Sequence, residues 1–271
     1  MHDKPLSVVG RWVLLGIAVI ATVFPLYWTV VLATRSTADA FGDPSFVYLP
    51  SFDSFATVWQ NQDFVASIGM SAAVVSVTVA IVLLITVPAA YILTRRNVRA
   101  RTGIIAWLLI AYLLPDFLIA IPLYSLYQNM GLYDSVLGLA LAYQVFMAPL
   151  AMALLLKFFQ DVPKEIAEAA HVDGCTEFQT LVRIYLPVVM PGIATTAILV
   201  AITVWNEVTI ALALTASHPT VAIAVTTYKG YASIQWDQLA AASLVAVLPV
   251  LVFAMLAQRM IVRGLTAGMG K

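Results

Sequence analysis

Six long apolar runs, at 12–33, 65–93, 104–127, 136–158, 188–214 and 239–262, decide which solvent this chain can fold in. At helical rise, about 20 apolar residues cross the roughly 30 Å hydrocarbon core of a bilayer. Each run meets that length. The rest of the chain offers no alternative, because with 62% hydrophobic and only 10% charged residues a soluble globule would have no dry interior large enough for them. The sequence therefore predicts an all-α membrane protein of six transmembrane helices, a single transmembrane domain over 1–271. The first run invites comparison with a cleaved signal peptide, since Ala38 and Ala40 follow it. Its apolar core is longer than such a leader carries, so a retained first helix is expected.

Lysine and arginine set the orientation, because short positive loops stay in the cytoplasm. With the N-terminus inside, Lys4, Arg11, Arg95, Arg96, Arg99, Arg101, Lys157, Lys164, Arg183, Arg259, Arg263 and Lys271 share one side. Only Arg35 and Lys229 fall on the other, where Asp39, Asp43, Asp53, Asp63, Asp134 and Asp237 collect. Both termini are thus expected in the cytoplasm. The loop between the fourth and fifth spans is expected there too.

That loop, 160–187, is the least membrane-like part of the chain, with seven charged residues between Asp161 and Arg183. It reads as two short helices and a sharp turn. Pro163 suits a first helical turn, and Val162, Ile166, Ala169 and Ala170 make a narrow apolar face. Gly174 stands where a helix ends in a left-handed residue. Thr176 and Gln179 then have capping-box spacing for a second helix, with Phe178, Leu181, Val182 and Tyr185 on one face. Pro187 and Pro191 are expected to separate that helix from the fifth span. The arrangement suits either a connector that packs on its own protein or a docking surface for a water-exposed partner.

Glu168-Ala169-Ala170, three residues, Gly174, nine residues and Ile184-Tyr185-Leu186-Pro187 resemble the "EAA" loop of the membrane subunits of bacterial ABC importers. Trp205-Asn206-Glu207, the long loop after it and the terminal "IVRGLTAGMGK" look like the maltose-transporter G-type permeases of the carbohydrate-uptake branch. Cys175 departs from the alanine frequent there, and the Arg95–Arg101 loop lacks the usual Phe-x-Gly. The resemblance implies that Ile166, Glu168, Ala169, Ala170, Asp173, Gly174 and Phe178 dock into a separate ATPase, which holds ATP and Mg while this chain binds no cofactor. It also implies a second related permease, two ATPase copies, an extracytoplasmic solute-binding protein and a bacterial cytoplasmic membrane. His218, Tyr228, Lys229, Tyr231 and Trp236, in the outer loop 215–238, would by the same resemblance meet the binding protein. A re-entrant structural loop is the competing reading of that segment.

Two carboxylates fall inside expected spans, Asp116 in the third and Glu207 in the fifth, where a charge costs about 2.5–3.5 kcal/mol to insert. Pro115 and Pro122 flank Asp116, so a kink is expected there. Hydroxyl-rich solutes need donors and acceptors backed by aromatic faces, and Tyr112, Asp116, Tyr143, Gln144, Trp205, Asn206 and Glu207 could supply them. Satisfying helix–helix hydrogen bonds is the other reading of both acids. Lys157 and Arg259, the lysine and arginine within the runs, fall at their cytoplasmic ends, so no cation is expected at mid-membrane, which argues against an anionic solute. A self-contained secondary transporter or channel driven through Asp116 or Glu207 is the alternative function, although the internal repeats common in such proteins are not detected.

Several chemistries are excluded. The terminal glycines fail the phosphate-loop pattern, because Gly264 and Gly270 are separated by five residues instead of four and no strand is expected before them. Three scattered histidines and one cysteine, Cys175, give neither a metal-site spacing nor an intramolecular disulfide. No nucleophile–base constellation supports an enzyme, and no basic arm suggests nucleic acid.

Overall fold

The computed structural model describes residues 5–42, 48–95, 98–230 and 234–268; Lys4, Asp43, Arg96 and Lys271, used above for orientation, lie outside them. In chain order the helices are α1 (Pro5–Ala33), α2 (Thr37–Gly42), α3 (Asp53–Gln60), α4 (Gln62–Arg95), α5 (Arg101–Tyr112), α6 (Asp116–Met130) and α7 (Val136–Gln160). They continue with α8 (Lys164–Val172), α9 (Glu177–Gln179), a π-helical turn (Thr180–Tyr185), α10 (Leu186–Trp205), α11 (Thr209–Leu214), α12 (Val221–Thr226) and α13 (Trp236–Gly268). The one pairing of extended backbone among the described residues is an isolated antiparallel bridge between Lys229 and Ile234.

Among the described residues, five segments are long and apolar enough to cross a bilayer: Gly10–Ala33, Gln62–Arg95, Val136–Gln160, Glu177–Trp205 and Trp236–Leu256. The third expected span, 104–127, is not one helix. It consists of α5 and α6, bent by 88° across Leu113–Pro115. Pro115 brings no N–H to the ladder and takes an extended ψ of 134°, so the predicted kink becomes a break. Pro122, by contrast, is carried inside α6.

The fifth expected span, 188–214, also divides. Helix α10 stops at Trp205, and α11 restarts only at Thr209. At its other end the span is longer than expected, because α9 runs through the π turn into α10 without interruption. Pro187 and Pro191 therefore lie within this helix and do not separate it from the loop. A proline removes a donor and crowds the preceding turn, and the wider π turn just before Pro187 accommodates both effects.

The chain forms two compact units, Met1–Val65 with Ala224–Leu248, and Ala66–Ile223 with Pro249–Lys271. In the first, the Asp237 carboxylate accepts from the hydroxyls of Thr37 at 2.9 Å and Ser54 at 3.0 Å. Phe41 lies against Trp236, and Phe64 meets Tyr228 edge-on. In the second, α7 is the central element and packs against α5, α10 and α11, while α6 packs along α11. Gly192 lets α10 approach α7 closely, since a Cβ there would sit 2.3 Å from the Phe158 ring.

Local chemistry fixes the ends of these helices. Gly131 terminates α6 with φ 68°. Ser135 caps α7, accepting from Gly138 N–H at 3.0 Å and donating to Leu132 O at 2.6 Å. Several threonines within the spans satisfy their hydroxyls on the carbonyl four residues back, as Thr78 does on Val74 and Thr196 on Gly192. No aqueous partner is needed for them.

Candidate functional site

The charged loop forms a turn held by its own backbone. Helix α8 ends at Val172, Cys175 N–H returns to Ala170 O at 2.9 Å, and Gly174 adopts φ 81° between them. This six-residue closure needs a left-handed residue, which glycine supplies without strain. The predicted capping box follows: Thr176 Oγ1 accepts from Gln179 N–H at 3.3 Å, and Gln179 Oε1 accepts from Thr176 N–H at 2.9 Å.

The apolar face expected here divides between core and solvent. Val162 and Ala170 are buried and Ala167 packs on the same core, whereas Ile166 and Ala169 face outward with Glu168 and Asp173. Short side chains are what let α8 lie close to the protein, and this leaves the longer Ile166 in solvent. Val172 and Phe178 flank the turn at 88% and 73% exposure. The loop thus presents apolar residues beside acidic ones, with Gly174 at its apex.

Beneath it lies a core to which α4, α7 and the π turn contribute. Tyr185 and Phe159 are fully buried and stacked, with ring centroids 6.2 Å apart, and Tyr91 meets Tyr185 edge-on at 5.1 Å. The guanidinium of Arg95 lies 4.7 Å from the Tyr185 ring centroid. Sequence reasoning placed Arg95 only in a cytoplasmic cluster and gave Tyr91 and Glu177 no role. Tyr91 and Arg95 stand four apart at the end of a span, a signal that says they share a face but not what they meet.

Within the membrane helices the structure joins two of the predicted polar residues. Tyr143 OH donates to Glu207 Oε2 at 2.8 Å, and the same carboxylate accepts from the N–H groups of Ile210 at 2.9 Å and Ala211 at 3.2 Å. Glu207 therefore caps α11 and occupies the break after Trp205. Asn206 donates back to Ile202 O at 2.7 Å, and Trp205 is buried. Gln144 donates to Ala140 O at 2.7 Å, and its Oε1 is buried with no partner. Tyr112 and Asp116 stand apart from these, exposed on either side of the α5–α6 bend, and Asp116 has no hydrogen-bond or ion-pair partner among the described residues.

The outer loop holds the helix α12 and is partly buried. Tyr228 is a packing residue, 7% exposed, with its ring against Phe64. Trp236 begins α13, Lys229 is exposed at the bridge to Ile234, and Tyr231 lies outside the described residues. His218 is tied to Asp134, which precedes α7: the imidazole Nδ1 lies 3.2 Å from Asp134 Oδ2. Burial opposes ionisation of Asp134, but N–H groups of Ala216, Ser217 and His218 together with the imidazole outweigh it and hold the carboxyl at about 2. The sequence marked Asp134 only as an acidic residue of an outer loop.

Three comparisons bear on this geometry. The family model described as "Binding-protein-dependent transport system inner membrane component" matches residues 84–267. A probable ABC transporter permease protein of Sinorhizobium fredii is 34% identical, over 90% of this chain and 89% of its own length. The trehalose transport system permease protein of Mycobacterium tuberculosis is 30% identical, over 95% of this chain and 96% of its own. Among solved structures, a chain of a bacterial ABC transporter involved in import of the acidic polysaccharide alginate aligns with a TM-score of 0.82 at 20% identity, covering 96% of this chain and 98% of that one.

Proposed function

The chain belongs to the family of binding-protein-dependent transport system inner membrane components, and from that premise we propose that it is the permease subunit of an ATP-driven sugar importer. It forms half of a translocation pore in the bacterial cytoplasmic membrane, with both termini in the cytoplasm. A second, related permease completes the pore. Two copies of a separate ATPase carry ATP and Mg, and an extracytoplasmic binding protein delivers the solute. The trehalose permease among its relatives supports a carbohydrate as that solute.

The observation that carries this reading is the built turn of the charged loop. A helix ends at a glycine with φ 81°, is followed by a closed capping box, and continues without a break into a membrane helix. Such a lever can take up a push from a soluble partner and deliver it to the membrane. The substitution Gly174→Val would find open space for its side chain but an unfavourable backbone, and a strain above about 1 kcal/mol would disturb the apex.

The test is purification of the tagged chain co-expressed with its chromosomal neighbours, wild type against a Glu168→Ala, Gly174→Val double variant. An ATPase and a second permease should accompany the wild type, and the ATPase should be lost from the variant. A chain that purifies alone and transports on its own would overturn the reading in favour of a secondary transporter.

A further inference from the structure

The last turn of α4 holds both ends of the charged loop. Tyr91 and Arg95 are four residues apart, so they project from one face. Arg95 donates to the carbonyl oxygens of Phe159, at 2.6 Å, and of Val162, in the segment that leads into α8. Its guanidinium also covers the ring of Tyr185, in the π turn that follows the loop. Tyr91 OH donates to Glu177 Oε2 at 2.8 Å, three residues beyond Gly174. The chain before α8 and the chain after it are therefore both fastened to a helix to which neither is adjacent in sequence.

The chemistry of the strap is specific. The final carbonyls of α7 lack helical donors and carry partial negative charge. A planar guanidinium can donate to one of them, Phe159 O, and to Val162 O just beyond the helix while its face stacks on an aromatic ring, which an ammonium cannot reproduce. Arg95 Nε is buried without a partner, so the side chain holds this position at a desolvation cost. An arginine serving only to anchor a helix end in the lipid interface could turn toward water and avoid that cost.

We propose that Tyr91 and Arg95 are positioning residues that make α4 and the loop segments on either side of α8 move as one body. A displacement of α8 then reaches the second membrane helix directly, as well as α7 and α10, to which the loop is covalently joined. This inference rests on the importer reading above, in which an ATPase moves α8.

The experiment uses the assembled importer in liposomes, with Cys175→Ser as background. Spin labels are placed on cysteines at Leu84, 75% exposed on α4, and Val172, 88% exposed at the end of α8. Their separation is measured without nucleotide and with ATP trapped by vanadate. In the wild type it should stay constant; in Arg95→Ala it should shift on trapping, and Arg95→Lys should show part of that shift. Tyr91→Phe removes a single hydroxyl, so it provides the shift to be read even where Arg95→Ala does not assemble. A constant separation in Arg95→Lys and Tyr91→Phe, or a shift already present in the wild type, would overturn the strap while the importer stands. Absence of any ATPase from the wild-type complex would sink the importer reading and the strap together.

Discussion

Asp116 and Glu207 pose the same problem in the sequence and solve it differently in the structure. Each is a carboxylate beside a break in an apolar run, and each break replaces part of an expected span. Glu207 is fully engaged, with Tyr143 OH and two N–H groups of α11 on its oxygens. Asp116 is exposed at the start of α6 and has no partner among the described residues. The first break is satisfied from within and is part of the scaffold. The second leaves its carboxylate exposed at the break.

The comparison is most easily broken at Glu207. Replacing it by leucine strands three donors at once, so Glu207→Leu is expected to destabilise the chain by about 3 kcal/mol. Thermal unfolding in detergent checks this, and wild-type stability would remove the distinction. Asp134 offers a control outside the membrane, because it too is a carboxylate wired to backbone N–H groups. Its carboxyl is held at about 2, below the unfolded value, so it contributes stability above about pH 4 that is lost as pH falls through 2. From that shift the contribution is about 2 kcal/mol. Asp134→Asn tolerates the φ of 55° and should remove this acid dependence from an unfolding profile.

Tyr143→Phe sharpens the comparison further. It takes one donor from Glu207 and leaves the two backbone bonds, and should cost about 1.5 kcal/mol in the same assay. The smallest effect on stability belongs to Asp116→Asn, expected within about 0.5 kcal/mol of wild type. Its effect should appear in solute uptake by the assembled importer. Destabilisation comparable to that of Glu207→Leu would show that Asp116 is scaffold after all.

Much of the charged loop was legible because its determinants are local. A glycine at a helix end and a threonine three residues before a glutamine restrict φ and ψ within a few positions, and both features stand where the spacing placed them. The apolar face at α8 was read as one surface, open to packing or docking, and the structure divides it: Val162 and Ala170 are buried while Ile166 and Ala169 are exposed. Pro187 and Pro191 were read as separators, because a sequence does not announce that a π turn will absorb a proline. Tyr228 was placed at a binding surface, and Phe64 instead draws it into the core of its own unit.

The apolar runs by themselves determined that this chain enters a membrane as helices, since backbone groups in hydrocarbon must be paired within their own segment. The tertiary structure alone decided which polar groups those helices share. The bonds from Tyr143 to Glu207 and from Arg95 to Phe159 each close over 64 residues, and that from Tyr91 to Glu177 over 86. Helical periodicity fixes the face a side chain occupies over a turn or two. It carries no information about the partner brought to that face by a distant helix, because that choice is made by packing among whole spans.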